Sequence, residues 1–114
     1  MISGQELLAQ REAVKNSLKT SINRAYDNGI DMAEKTRQYR VLLAQTMYRL
    51  EADGAKATTL KDMAKGDKDV ANAEYEMIVA EVSYRASNEN IMAQKKLLES
   101  IEADIKREWG NQHG

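Results

Sequence analysis

Proton relays and metal centres need histidine, cysteine or converging carboxylates, and this chain of 114 residues is poor in the first two. Its one histidine is His113, next to the last residue, so a His-dependent catalytic triad, an HExxH zinc helix and a Glu-x-x-His di-iron bundle are all out of reach. Zero cysteines exclude disulfides and thiolate metal sites and fit a reducing cytosol. Glu74 and Glu81 stand seven residues apart, a spacing at which helix-surface acids are ordinarily solvated rather than catalytic or metal-bound. No glycine-rich phosphate loop is present, since neither Gly54 nor Gly66 leads into a Gly-Lys-Ser/Thr turn. The expectation is a chain that is not an enzyme and carries no cofactor and no metal.

Cations offer one alternative. Arg11, Lys15 and Lys19 recur at i, i+4 and i+8, which sets three positive charges along about 12 Å of a helix, a length that could meet consecutive phosphates. Arg37 and Arg40 form a second small cluster. No aromatic residues interleave with the row for base stacking, the net charge is −1, and residues 67–109 carry ten acids against six bases. A solvated basic face explains the row without nucleic acid.

The strongest pattern is apolar. Val70, Met77, Tyr84, Ile91, Leu98 and Ile105 recur at every seventh position, the spacing of a helix that lies along another helix. With these at heptad position a, position d reads Ala73, Ala80, Ser87, Gln94, Ile101 and Glu108, so the seam is apolar or small at its ends and polar in the middle, beside Asn88 and Asn90. Two readings of that middle stand: a buried polar layer that fixes register, or a stretch that simply faces water.

Around the seam, composition favours helices: no proline, no phenylalanine, 31% charged residues and 5% aromatic. Ser3 and Glu6 have the spacing of a capping box and open a first helix over about 4–27, with Leu7, Val14, Leu18, Ile22 and Ala25 on one face. Asp27-Asn28-Gly29 predicts a break or a kink, followed by a second helix over 31–52 carrying Met32, Tyr39, Leu43, Met47 and Leu50. A short helix over 58–65 follows, with Thr59 and Asp62 as candidate caps and Gly66 closing it. Asp67 would cap a long helix over 68–109, roughly 63 Å if straight, ahead of a frayed tail at 110–114. No apolar run approaches the ~20 residues that span a bilayer, and no signal peptide opens the chain, so a soluble, cytoplasmic protein is expected.

These elements predict one all-α domain: an elongated antiparallel helical hairpin, coiled-coil-like, with the long C-terminal helix against two N-terminal helices. Residues 1–26 carry four bases against two acids, opposite in sign to residues 67–109, as antiparallel packing would favour. Leu8, Leu42, Ile78, Val82, Leu97 and Trp109 are spare apolar groups that two helices alone do not cover. A homo-oligomer or a protein partner would cover them.

The stretch Tyr39-Arg40-Val41-Leu42-Leu43-Ala44, the corner Ala57-Thr58 to Asp62-Met63-Ala64-Lys65-Gly66, and Val70-Ala71 resemble small uncharacterised early-region proteins of phages and prophages of low-GC Gram-positive bacteria. Their pattern is YRxxLA … ATxxxDxAxG, and the likeness runs from about Tyr39 to Trp109, leaving the first helix unmatched. The resemblance implies a host-cell setting near phage recombination or replication genes. Three functions follow as expectations. The chain is a non-enzymatic accessory protein that binds a phage or host protein through its seam, an inhibitor of a host defence system or host enzyme by occlusion, or a DNA-binding accessory protein using Arg11, Lys15 and Lys19.

Overall fold

A computed structural model describes residues 3–113, with side chains described through Gly110. Three helices account for nearly all of them: α1 (Gly4–Ala52), α2 (Leu60–Lys65) and α3 (Lys68–His113). There is no strand among the described residues.

The start of α1 is held as its sequence demands. Ser3 Oγ accepts the Glu6 amide at 3.1 Å, and the Ser3 amide donates back to Glu6 Oε2 at 3.2 Å, satisfying two amides that no helical carbonyl reaches. Of the break and the kink weighed at Asp27-Asn28-Gly29, the break does not occur, and helices one and two are a single helix of 49 residues. A lone glycine costs a helix interior only about 1 kcal/mol, a loss that packing of the helix against its neighbour can outweigh. Gly29 serves packing instead: a Cβ there would lie 3.1 Å from Cε1 of Tyr84, so the missing side chain lets the phenol ring rest on the backbone of α1. At the other end, α3 runs past Trp109 through Gly110 to His113, where a frayed tail was expected; Gly114 and the His113 side chain lie outside the described residues.

Between α1 and α3 the chain turns in a corner built from local hydrogen bonds. The Gly54 amide reaches the Glu51 carbonyl at 3.0 Å and the Ala55 amide reaches the Leu50 carbonyl at 3.0 Å, the paired closure of a helix whose next residue is left-handed. Gly54 has φ +95°, a conformation that side chains disfavour. Gly66, by contrast, sits at φ −80° at the end of α2, and a Cβ there would meet carbonyl oxygens only at 3.6 Å. Gly54→Ala should therefore lower the unfolding free energy by about 1–2 kcal/mol. Gly66→Ala should be nearly silent, and urea denaturation of the pair checks both. Equal losses would show that Gly66 needs a freedom its geometry does not display.

α2 starts at Leu60, two residues later than expected. Thr59 stands at its N-cap without capping it, because its hydroxyl instead donates to the Lys56 carbonyl at 3.3 Å. Leu60 and Ala64 are the buried face of this single turn and a half. Asp67 does cap α3: Oδ1 accepts the amides of Asp69 at 3.0 Å and Val70 at 3.3 Å, while Oδ2 takes Arg49 Nη2 at 3.2 Å. The Val70 and Asp69 amides, with Arg49 adding to them, hold the Asp67 carboxyl below its usual range. One aspartate thus ties the last turn of α1 to the first turn of α3.

Two compact units share these helices, one of residues 1–26 and 85–114 and one of residues 27–84. In the first, the early turns of α1 lie antiparallel to the late turns of α3, around Leu7, Ile101 and Ile105 with Leu8 and Val14 against them. In the second, Tyr39, Leu60, Ala64, Val70 and Ala80 are buried, and Val70 is the largest side chain there that is fully enclosed. The fold is all-α, a helical hairpin in which a long C-terminal helix is packed by the N-terminal one.

Candidate functional site

The seam of α3 is laid against α1. Val70 and Ile105 are buried, and Met77, Tyr84, Ile91 and Leu98 are half-buried. Every d position from Ala73 to Glu108 is buried or half-buried as well, while the b, c and f positions in both units are exposed. On α1 the matching stripe steps by four and three through Leu7, Arg11, Val14, Leu18, Ser21, Ala25, Asn28 and Met32. Ile22, expected on this face, is 46% exposed, and Ser21 takes its place. The six seam residues are therefore covered within the chain, two of them fully and four in part.

The middle of the seam holds a polar layer. Ser21 is buried, and its Oγ accepts Asn90 Nδ2 at 3.1 Å and Gln94 Nε2 at 2.9 Å. Gln94 Oε1 is buried without a hydrogen-bond partner, and Asn88 is exposed. Of the two readings of the polar middle, the layer at Ser21 has the geometry of a register-fixing contact, whereas Asn88 faces water. Serine was passed over in the sequence because it is not apolar, although the steps 14, 18, 21, 25 land on it.

A second buried polar contact lies in the unit of residues 27–84. Tyr39 Oη donates to Glu74 Oε2 at 2.6 Å across the two helices. That bond first, and burial after it, raises the Tyr39 phenol above its ordinary value of 10.0. Glu74 is thus a structural acceptor. Glu81 is half-buried one heptad later, and among the described residues no group of three His, Cys, Asp or Glu is arranged to hold a metal ion. An open groove in the same unit is lined by Asp31, Lys35, Tyr75, Glu76, Val79, Ala80 and Ser83.

The basic row is only partly exposed. Arg11 occupies the stripe that faces α3, where it is half-buried with Nε shut away from any partner, while Lys15 and Lys19 are exposed. The reason is geometric, because each i, i+4 step turns about 40° around the helix, so the two steps from Arg11 to Lys19 carry the row about 80° off the α3-facing stripe. Arg37 is taken up by Glu34 one turn earlier on α1.

Large apolar side chains are exposed as well. Tyr48, 78% exposed, follows Val41 by seven residues on the outer side of α1. On α3, Tyr75, Ile78, Val79 and Val82 are all exposed, at i, i+3, i+4 and i+7 on the side opposite the seam. Comparison with protein-family models, curated proteins and solved structures finds no match. No described helix is long and apolar enough to cross a membrane.

Proposed function

We propose that this chain is a non-enzymatic accessory protein that works by binding protein, itself included, in phage recombination or replication within the host cytoplasm. The setting rests on the resemblance of the stretch from Tyr39 to Trp109. The observation that carries the binding role is the exposure of large apolar side chains outside a seam already occupied by α1. A solvated helical pair has no use for Tyr48, Tyr75 and Val82 on its outer faces. The outer side of α1, with Val41 and Tyr48, is the partner-binding face in this reading, and the inner seam maintains the hairpin.

Light scattering at micromolar concentration should give a mass at least twice 12.9 kDa. A phage recombinase or single-strand-binding protein should bind the purified chain, and Tyr48→Glu should weaken that binding while leaving the helical spectrum intact. No binding to any of them would remove the recombination and replication setting. The nucleic-acid alternative has its own signature: for about three neutralised phosphates, log K would fall with log salt at a slope near −2 to −3. Micromolar DNA binding at physiological salt, lost when Arg11, Lys15 and Lys19 all become Gln, would overturn the protein-binding reading.

A further inference from the structure

We infer that one flank of the unit of residues 1–26 and 85–114 binds a short acidic peptide segment of a partner protein, one that carries apolar side chains among its acids. This rests on the protein-binding role proposed above and names the chemistry of one bound segment. The flank lies in a different unit from Val41 and Tyr48.

Residues that directly follow the members of a packing stripe all fall on one flank of their helix, since each step turns it by about 100°. The pocket lined by Gly4, Gln5, Leu8, Glu108 and Trp109 brings the two such flanks of this unit together. Gln5 and Leu8 follow Gly4 and Leu7 on α1, and Trp109 follows Glu108 on α3. Further along the same flank of α1, Lys15 and Ile22 follow Val14 and Ser21, while Lys19 and Tyr26 follow Leu18 and Ala25. On α3, Lys95 follows Gln94, Met92 follows Ile91 and Arg85 follows Tyr84. All of these are exposed, Ile22 by 46%, Met92 by 60% and Tyr26 by 69%. Four cations therefore alternate with three large apolar groups, and no acid interrupts them on this flank; Glu89 lies one position further round α3. Among the described residues no salt bridge takes up any of the four cations.

The charges set the sign of the partner, and the length and the apolar groups set its kind. Glu12, Glu99 and Glu102 stand exposed on the same flank and end the patch, which runs about 17 Å from Lys15 to Tyr26. An extended polyanion, nucleic acid or anionic membrane, would carry its charge on over these three glutamates and be repelled there. A peptide segment can end before them. A phosphate backbone would also leave Ile22 and Met92 uncovered, whereas leucine or isoleucine beside the acids of a peptide would bury them, and the flexible thioether of Met92 adapts to such groups.

A library of random twelve-residue peptides, selected on the immobilised chain at low salt, tests the inference. Oligo-dT of twelve nucleotides and phosphatidylserine vesicles serve as the competing ligands. Selected peptides should be rich in Asp and Glu with Leu, Ile or Phe between them. They should bind the Lys19→Gln, Lys95→Gln double variant about tenfold more weakly and Met92→Ser about threefold more weakly. Tyr48→Glu should leave their binding unchanged. Circular dichroism of each variant guards against unfolding, and Gln is a good helix former. Neutral or basic selected sequences, no enrichment at all, or affinity indifferent to Lys19 and Lys95 would overturn the inference. Oligo-dT or vesicles bound more tightly than any peptide, and released by the double variant, would overturn it in favour of that polyanion. If peptides fail while a phage recombinase or single-strand-binding protein still binds, this inference alone falls. Failure of both removes the protein-binding reading with it.

Discussion

Ile105→Ala should cost about 2–5 kcal/mol of stability, and Ile91→Ala, in the same seam and two heptads earlier, less than half as much. Both remove the same atoms from heptad position a. They differ in what surrounds them: Ile105 is 8% exposed and packed with Leu7 and Ile101, whereas Ile91 is half-buried beside the Ser21, Asn90 and Gln94 layer. Truncation in a dry, closed cluster leaves a cavity with apolar walls, while truncation beside polar groups and solvent leaves a gap that water can enter. Periodicity alone would rank Ile91 and Leu98 among the costliest sites, because each lies in the helix–helix contact. Urea denaturation read by Trp109 fluorescence, which reports on the unit of residues 1–26 and 85–114, measures both losses. Equal losses would mean that the seam is evenly dry.

Tyr39→Phe should cost about 1.5–3 kcal/mol, the range for a hydrogen bond to a charged group, because the ring stays and Glu74 loses its donor. Glu74→Gln should cost less, since a neutral amide left in that position is cheaper to bury than a carboxylate. The alkaline side separates the bond from mere packing. The folded chain holds the Tyr39 proton more tightly than the unfolded chain does, so this contribution is complete below pH 10 and is lost as pH rises through the higher folded value. Parent and Tyr39→Phe stabilities should therefore converge above pH 10. A gap that stays constant there would assign the loss to packing.

The heptad of α3 was legible because its a positions are large and apolar at an unbroken interval of seven. The capping box at Ser3 and Glu6 and the cap at Asp67 were legible for a similar reason, each being a local pattern with one geometric outcome. Gly29 was not, because a glycine after Asp-Asn ends many helices, and only the distant Tyr84 reveals that here it makes room. Ser21 and Thr46 were missed on α1, since both are buried without being apolar. Arg11 misled in the opposite sense: its charge suggested an outward face, and the stripe of α1 carries it inward. Composition did place large apolar groups in surplus, as at Ile78 and Val82, but their common face emerges only once the opposite side of α3 is known to be occupied.

The corner at Gly54 and Asp67 has a kinetic consequence. Arg49 and Asp67 are 18 residues apart and Tyr39 and Glu74 are 35 apart, while Ser21 meets Asn90 and Gln94 across 69 and 73 residues. Closing the longest of these loops from an open chain costs only about 1.2 kcal/mol more than closing the shortest, because the entropy grows with the logarithm of length. Even that excess need not be met at once. When the corner has formed, a later contact in the same unit has only the added stretch to close, 17 residues from the Arg49–Asp67 pair to the Tyr39–Glu74 pair. Closure that begins at the corner would therefore keep each step short, however far apart in sequence the residues it joins.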